Sequence, residues 1–340
     1  MVLVVERVAV ELFATPDNAV PTGAVVTTVP TMDGVNLRVA RWAPRGRKRP
    51  RGTVLILQGR AEFIEKYFET VADLTRRGFV VVAFDWRGQG GSDHQLANHR
   101  KGHISSFKRY RRDLDAVIHE MLLVHCPAPY FALAHSMGAA ILFEALSSGE
   151  NRFERTVALA PMLAIARIKH PGVVRTLAEW LGGLGLSRWF IPGGGATPLG
   201  TKPFLDNRLT SDPVRYARNA GVVAAVPELG LGDPTIGWVR AAFRFMAGLN
   251  TRKKAEAITA QVLVIAGGAD PVVSTAAIER FSLYLKSGHA IVLPGARHEL
   301  LMERDDIRET VWAAFDAFVP GSEGTGPLSS QADNSDSAAA

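Results

Sequence analysis

One cysteine, Cys126, stands among 340 residues. A single thiol excludes an intramolecular disulfide and a four-cysteine metal site, and it suits a reducing compartment. Long uncharged apolar runs are missing as well: none reaches the roughly 18 residues that a helix needs to cross a bilayer. The apolar opening, Met1 to Val5, is broken by Glu6 and Arg7, too short and in the wrong charge order for a secretory signal. The expectation is a soluble cytoplasmic protein, at most peripheral to a membrane. Internal repeats and heptads are absent too.

Apolar material is plentiful, with 47% of the residues hydrophobic, so a large core can be buried. At 340 residues, one large α/β unit carrying an insertion fits best. The net charge is +6, with basic clusters from Arg45 to Arg51 and from Lys108 to Arg112. Such clusters attract anionic lipid surfaces or nucleic acid. The favoured reading is plainer, a solvated loop and a solvated helix face, and no nucleic-acid partner is expected.

Strand-like apolar runs alternate with helix-like stretches, the signature of a mostly parallel sheet covered by helices. The runs are Thr53 to Leu57, Phe79 to Phe84, Tyr130 to Ala134, Thr156 to Ala160, Val262 to Ala266 and Ala290 to Leu293. Ahead of them, Val25 to Val29 and Val35 to Ala40 read as a hairpin turned at Asp33-Gly34, placed at the sheet edge. From 163 to 250 the strand rhythm stops, and helical patterns punctuated by proline, glycine and tryptophan take over. The expected organisation is a core over 1–162, a helical cap over 163–250, the rest of the core over 251–319 and a disordered tail over 320–340, which has almost nothing apolar to bury.

Ligands of open α/β sheets sit beyond the carboxyl ends of the strands, so the loops there are where chemistry is to be sought. After Tyr130 to Ala134 comes His135-Ser136-Met137-Gly138 and then a helix of small residues. A serine between strand and helix is held on a sharp turn that projects its hydroxyl, the nucleophile elbow. A free serine needs a base, and the order serine, acid, histidine then selects partners. His170 falls at the start of the cap, and His289 precedes a strand. His298 follows the strand Ala290 to Leu293 and so reaches the catalytic edge.

The preceding strand ends at Asp270, placed to accept the other imidazole proton; the competing role is a cap for the helix that follows. The developing oxyanion would be met by the N–H of Met137 and by that of Arg60, in the loop Gln58-Gly59-Arg60-Ala61-Glu62. The block Asp85 to Ser92 is rich in glycine but lacks the Gly-Lys-Ser/Thr of a phosphate cradle. It reads as a structural loop in which Asp85 and Arg87 act as scaffold.

Together these residues resemble the lysophospholipase and monoacylglycerol lipase family of α/β-hydrolases. The likeness rests on Gln58 to Phe63 with Tyr67, on Asp85 to Ser92, on His135 to Gly138 and on Arg297-His298-Glu299-Leu300, and it spans about residues 25 to 318. Gln58 stands where that family commonly has histidine, and Ala134 where the elbow commonly has glycine. The resemblance implies an α/β-hydrolase fold, with a mostly parallel central sheet, flanking helices and an inserted lid that receives an acyl chain.

Val173, Val174, Leu177, Trp180, Leu181 and Leu184 recur at helical spacing, as do Ile236, Val239, Phe243, Met246 and Leu249. Cap packing is the favoured reading of both stripes, and a lipid-facing surface the sharper one. The expected activity is serine-dependent hydrolysis of a small lipid ester, a lysophospholipid or a monoacylglycerol, with no metal or organic cofactor. A thioesterase, acyltransferase or peptidase would use the same triad. A non-catalytic binding protein is disfavoured because all three triad members are present.

Overall fold

The computed structural model describes residues 10–44, 46, 49–168 and 170–321. The apolar opening, Arg45, Arg47 and Lys48 of the first basic cluster, and the expected disordered tail from 322 onward lie outside the described residues.

The apolar runs assemble into an eight-stranded sheet in the order β1-β2-β4-β3-β5-β6-β7-β8. β1 (Ala24–Pro30) and β2 (Asn36–Trp42) form the hairpin, with Gly34 at φ +77°, a conformation glycine adopts without strain. β2 runs antiparallel to β4 (Val80–Phe84), and from there the sheet is parallel. It continues through β3 (Thr53–Leu57), β5 (Tyr130–His135), β6 (Phe153–Leu159), β7 (Gln261–Gly267) and β8 (Gly288–Leu293).

Every residue of β3 and β4 is buried, as expected of strands covered on both faces. Alternate side chains serve the two faces: Leu55 and Leu57 join one core, Val54 and Ile56 the other. α1 (Phe68–Arg76) and α10 (Asp305–Phe318) close the second core. The first is closed by α2 (Lys108–Ala116), which passes through a π-helical stretch into the short α3 (Leu123–His125), together with α4 (Ser136–Ser147) and α9 (Thr275–Ser282). The chain turns to opposite sides of β3 to make β4 and β5, so the loops after β3 and β5 meet at the switch point of the sheet.

Between β6 and β7 the segment is helical: α5 (Pro171–Gly183), α6 (Pro213–Ala225) and α7 (Ile236–Leu249), followed by α8 (Arg252–Ala257). α6 is clamped to the body by Arg215, which pairs with Glu69 of α1 and Asp305 of α10, both at 2.7 Å. The packing expectation holds for α7, whose Ile236, Met246 and Leu249 are buried. It fails on α5, where Val173, Leu177 and Trp180, and Leu184 just after the helix, are each more than half exposed. Most of the outer face of α5 has no helix or strand against it, so helical periodicity alone could not tell core from surface there.

Asp85 and Arg87 both act as scaffold, but through separate partners rather than with each other. Asp85 accepts from Arg38 Nε at 2.7 Å, whereas Arg87 is forked between Asp33 and Asp113. The basic run on α2 behaves as a solvated face, with Lys108 and Arg112 exposed and Arg112 reaching Asp33 at 3.2 Å. Among the described residues, no helix is long and apolar enough to cross a membrane.

Candidate active site

β5 ends at His135 and α4 begins at once with Ser136, whose φ of +49° is left-handed. A residue with a Cβ is strained there, which marks a position held for its direction rather than for stability. The turn is possible because α4 crosses close over β3. A Cβ on Gly138 would lie 2.4 Å from the carbonyl oxygen of Leu57 and 2.5 Å from that of Gln58. Ala134, by contrast, is accommodated, fully buried between β3 and β6.

His298 lies in the loop after β8, with Nε2 3.0 Å from Ser136 Oγ and Nδ1 2.7 Å from Asp270 Oδ2. An ionised carboxylate only accepts, so Nδ1 carries the proton and Nε2 is left to accept from the serine hydroxyl. The other carboxylate oxygen, Oδ1, takes the N–H groups of Val272 and Val273 at 2.7 and 3.0 Å. Burial opposes the charge on Asp270, but the His298 contact and these two amides outweigh it and lower its pKa. The competing role as cap of α9 falls to Ser274, whose side chain accepts from Ala277 N–H.

Met137 follows Ser136 in the first turn of α4, where helix N–H groups are free of intrahelical partners. In the loop after β3, Gly59 N–H binds Glu62 and Ala61 N–H binds Gln89, while no such bond engages the N–H of Arg60 between them, among the described residues. His170 caps α5, and His289 lies within β8.

Glu62, His135 and Glu299, quoted above without roles, are joined in the structure through Lys66, which lay outside the quoted motifs. Lys66 Nζ bridges Glu62 at 2.8 Å and Glu299 at 2.6 Å. Glu62 also accepts from Tyr67 Oη at 2.7 Å and faces His135 Nδ1 at 3.2 Å. Burial disfavours a charged His135, yet the adjacent Glu62 carboxylate prevails and raises its pKa. The spacing of Glu62 and Lys66, one helical turn apart, was the signal available in the sequence; Glu299 could be joined to them only in three dimensions.

A cleft of about 230 Å³ opens over Ser136 and His298, walled by Arg60, Met162, Tyr216 and Val223 among others. Beside it lies a cavity of about 340 Å³ between α5 and α7, lined only by apolar and aromatic side chains, among them Val174, Leu181 and Phe243. The two share Ile165, Pro234 and Trp238 as walls.

With this geometry in place, comparison with known proteins is decisive, because the family described as serine aminopeptidase S33 matches residues 48–305, three quarters of the chain and both halves of the site. The chain belongs to that family. Among its relatives, this S33 member is 30% identical to lysophospholipase L2 of Escherichia coli over 307 residues, covering 84% of this chain and 85% of the relative. It is 26% identical to the monoacylglycerol lipase of Mycolicibacterium smegmatis over 277 residues, 79% of this chain and 88% of that one. In fold it is similar to a thermostable carboxyl esterase from Bacillus coagulans solved with glycerol, with a TM-score of 0.69 at 20% identity over 88% of this chain and 98% of the other. The α/β-hydrolase fold and the resemblance stated from the motifs both hold, and the S33 member is a hydrolase.

Proposed function

We propose that the enzyme hydrolyses the carboxylic ester of lipids carrying one acyl chain, lysophospholipids or monoacylglycerols, through an acyl-enzyme on Ser136. The observation that carries this reading is the hydrogen-bonded chain from Ser136 through His298 to Asp270, at the mouth of a cleft adjoining an apolar cavity. Ser136 Oγ attacks the ester carbonyl carbon as its proton passes to His298 Nε2, and Asp270 stabilises the imidazolium. The N–H groups of Met137 and Arg60 receive the oxyanion. His298 then returns the proton to the departing glycerol oxygen, and water repeats the sequence to release the fatty acid.

The adjoining cavity suits the acyl chain, since a pocket of this size and lining is the usual form of an apolar ligand site. In this reading 163–250 is the cap and 1–162 with 251–319 the catalytic core. The exposed face of α5, with Val173, Leu177 and Trp180, supports peripheral contact with a membrane surface. The names of the relatives support ester chemistry, while the family description keeps an aminopeptidase in view.

The deciding experiment compares wild type with Ser136→Ala on p-nitrophenyl acyl esters, monoacylglycerol, lysophosphatidylcholine and an aminoacyl anilide. Ester hydrolysis lost in the variant is expected. Anilide cleavage without ester cleavage would replace this reading with the peptidase one.

A further inference from the structure

Three buried cations beside the site are matched by acids. Arg38 pairs with Glu65 and Asp85, Arg87 with Asp33 and Asp113, and Lys66 with Glu62 and Glu299. Arg60 is different. It lines the same cleft as Ser136, yet among the described residues no carboxylate comes within ion-pair distance of it. Its Nη2 donates to the carbonyl oxygen of Gly232 at 2.6 Å, and its Cζ lies 5.2 Å from the ring centre of Trp238. Nε is buried and makes no hydrogen bond within the protein.

The space is built for this side chain, since a Cβ on Gly102 would stand 2.5 Å from Nη2. Asp233, whose charge reaches it, spends Oδ2 on Gly195 N–H at 3.0 Å. Burial pushes the guanidinium pKa down only to about 10, so it is a cation at neutral pH. The cleft's own acids, Glu62 and Glu299, are already held by Lys66 and His135. A positive charge with unused donor capacity is left in the cleft wall.

We propose that the Arg60 side chain recognises the phosphate of the substrate headgroup, making the enzyme selective for lysophospholipids over neutral monoacylglycerols. The inference rests on the ester-hydrolase reading above. A guanidinium fork matches phosphate oxygens, and a neutral glycerol headgroup would leave the buried cation unpaired. Selectivity thus comes as much from rejecting the uncharged ester as from binding the charged one.

The test is the ratio of kcat/KM for 1-acyl-lysophosphatidylglycerol to that for a 1-monoacylglycerol of equal chain length, in wild type, Arg60→Met and Arg60→Lys. Because both substrates share the oxyanion loop, the ratio cancels any disturbance of it. A fall of about 10- to 100-fold in Arg60→Met, with partial recovery in Arg60→Lys, is expected for loss of a charged hydrogen bond. An unchanged ratio overturns the proposal.

Binding of non-cleavable ether lipids supplies the second measurement, comparing an alkylglycerol phosphate, the matching alkylglycerol and glycerol 3-phosphate. Arg60→Met should weaken only the phosphate-bearing lipid by a similar factor. Equal weakening of both lipids, or none, overturns the proposal. Glycerol 3-phosphate binding as tightly as the lipid would instead make this a site for free phosphate esters. Were wild type to hydrolyse neither ester, the ester-hydrolase reading would fall, and the ether-lipid binding would still decide the role of Arg60.

Discussion

His135 Nε2 donates to the backbone carbonyl oxygen of His298 at 3.1 Å, a bond across 163 positions of sequence. The residue before Ser136 thereby fixes the loop of His298. Through Nδ1 and Glu62 it also touches the loop that carries Arg60, so three loops from different strands form one hydrogen-bonded unit. Removing the imidazole in His135→Ala orphans a buried acceptor and a carboxylate contact, at a cost of about 1–3 kcal/mol in stability. Displacement of His298 should lower kcat about 10- to 100-fold, with KM less affected. Urea unfolding together with steady-state kinetics checks this, and stability lost without any fall in kcat would assign His135 a structural role only.

The raised pKa of His135 has a direction that can be measured. A group whose folded pKa lies above its unfolded value, about 6.5 for histidine, contributes its full stabilisation below that value and loses it as pH rises through the folded pKa. Wild type should therefore lose part of its margin over His135→Gln when melts at pH 6 are compared with melts at higher pH.

Asp270→Asn keeps an oxygen that can accept from Val272 and Val273, but it favours the wrong tautomer of His298. A loss of kcat on the order of 10⁴-fold with little change in Tm is expected. Ester kinetics and a thermal melt on the same preparation test it, and a loss confined to Tm would count against the orienting role.

Glu69 ties α1 to α6. Burial raises its pKa, but its hydrogen bond from Arg215 and the charges of Arg308 and Arg218 outweigh that and bring it to about 2. A depressed carboxylate stabilises the fold above its unfolded pKa of about 4.3, and that contribution is lost as pH falls towards about 2. After allowance for solvent screening it is worth about 1–2 kcal/mol. Glu69→Gln should be less stable than wild type at pH 7 and close to it near pH 2.5, as read by denaturant unfolding at both.

Gly138→Ala forces α4 off the carbonyl oxygens of Leu57 and Gln58. The expected penalty is about 1–3 kcal/mol, with a further loss of activity because the same shift moves Met137 away from the loop after β3. A melt and an ester assay would show both losses together.

On the exposed face of α5, Trp180→Glu with Val173→Glu should reduce co-sedimentation with anionic vesicles severalfold while hydrolysis of a water-soluble ester persists. Unchanged, salt-insensitive sedimentation would remove the membrane-contact reading.

The parallel sheet was legible in the sequence because its strands are short apolar runs buried on both faces, and such runs need no partner to be recognised. The placing of Ser136, Asp270 and His298 followed from the same logic, since a residue one loop beyond a parallel strand can reach only one edge of the sheet. Local order could not say which charge meets which. Asp85 and Arg87 stand two positions apart yet take their partners from β2, the β1–β2 turn and α2. Periodicity gave α5 and α7 similar stripes, and only packing made one buried and the other largely exposed. Sequence alone thus determined the elements and the order of the chemical groups, because burial pattern and strand ends are local properties of the chain. The network around Glu62 and His135 and the unmatched charge of Arg60 were decided by tertiary structure, because ion pairing in a low-dielectric interior depends on distances that separate elements acquire only by folding together.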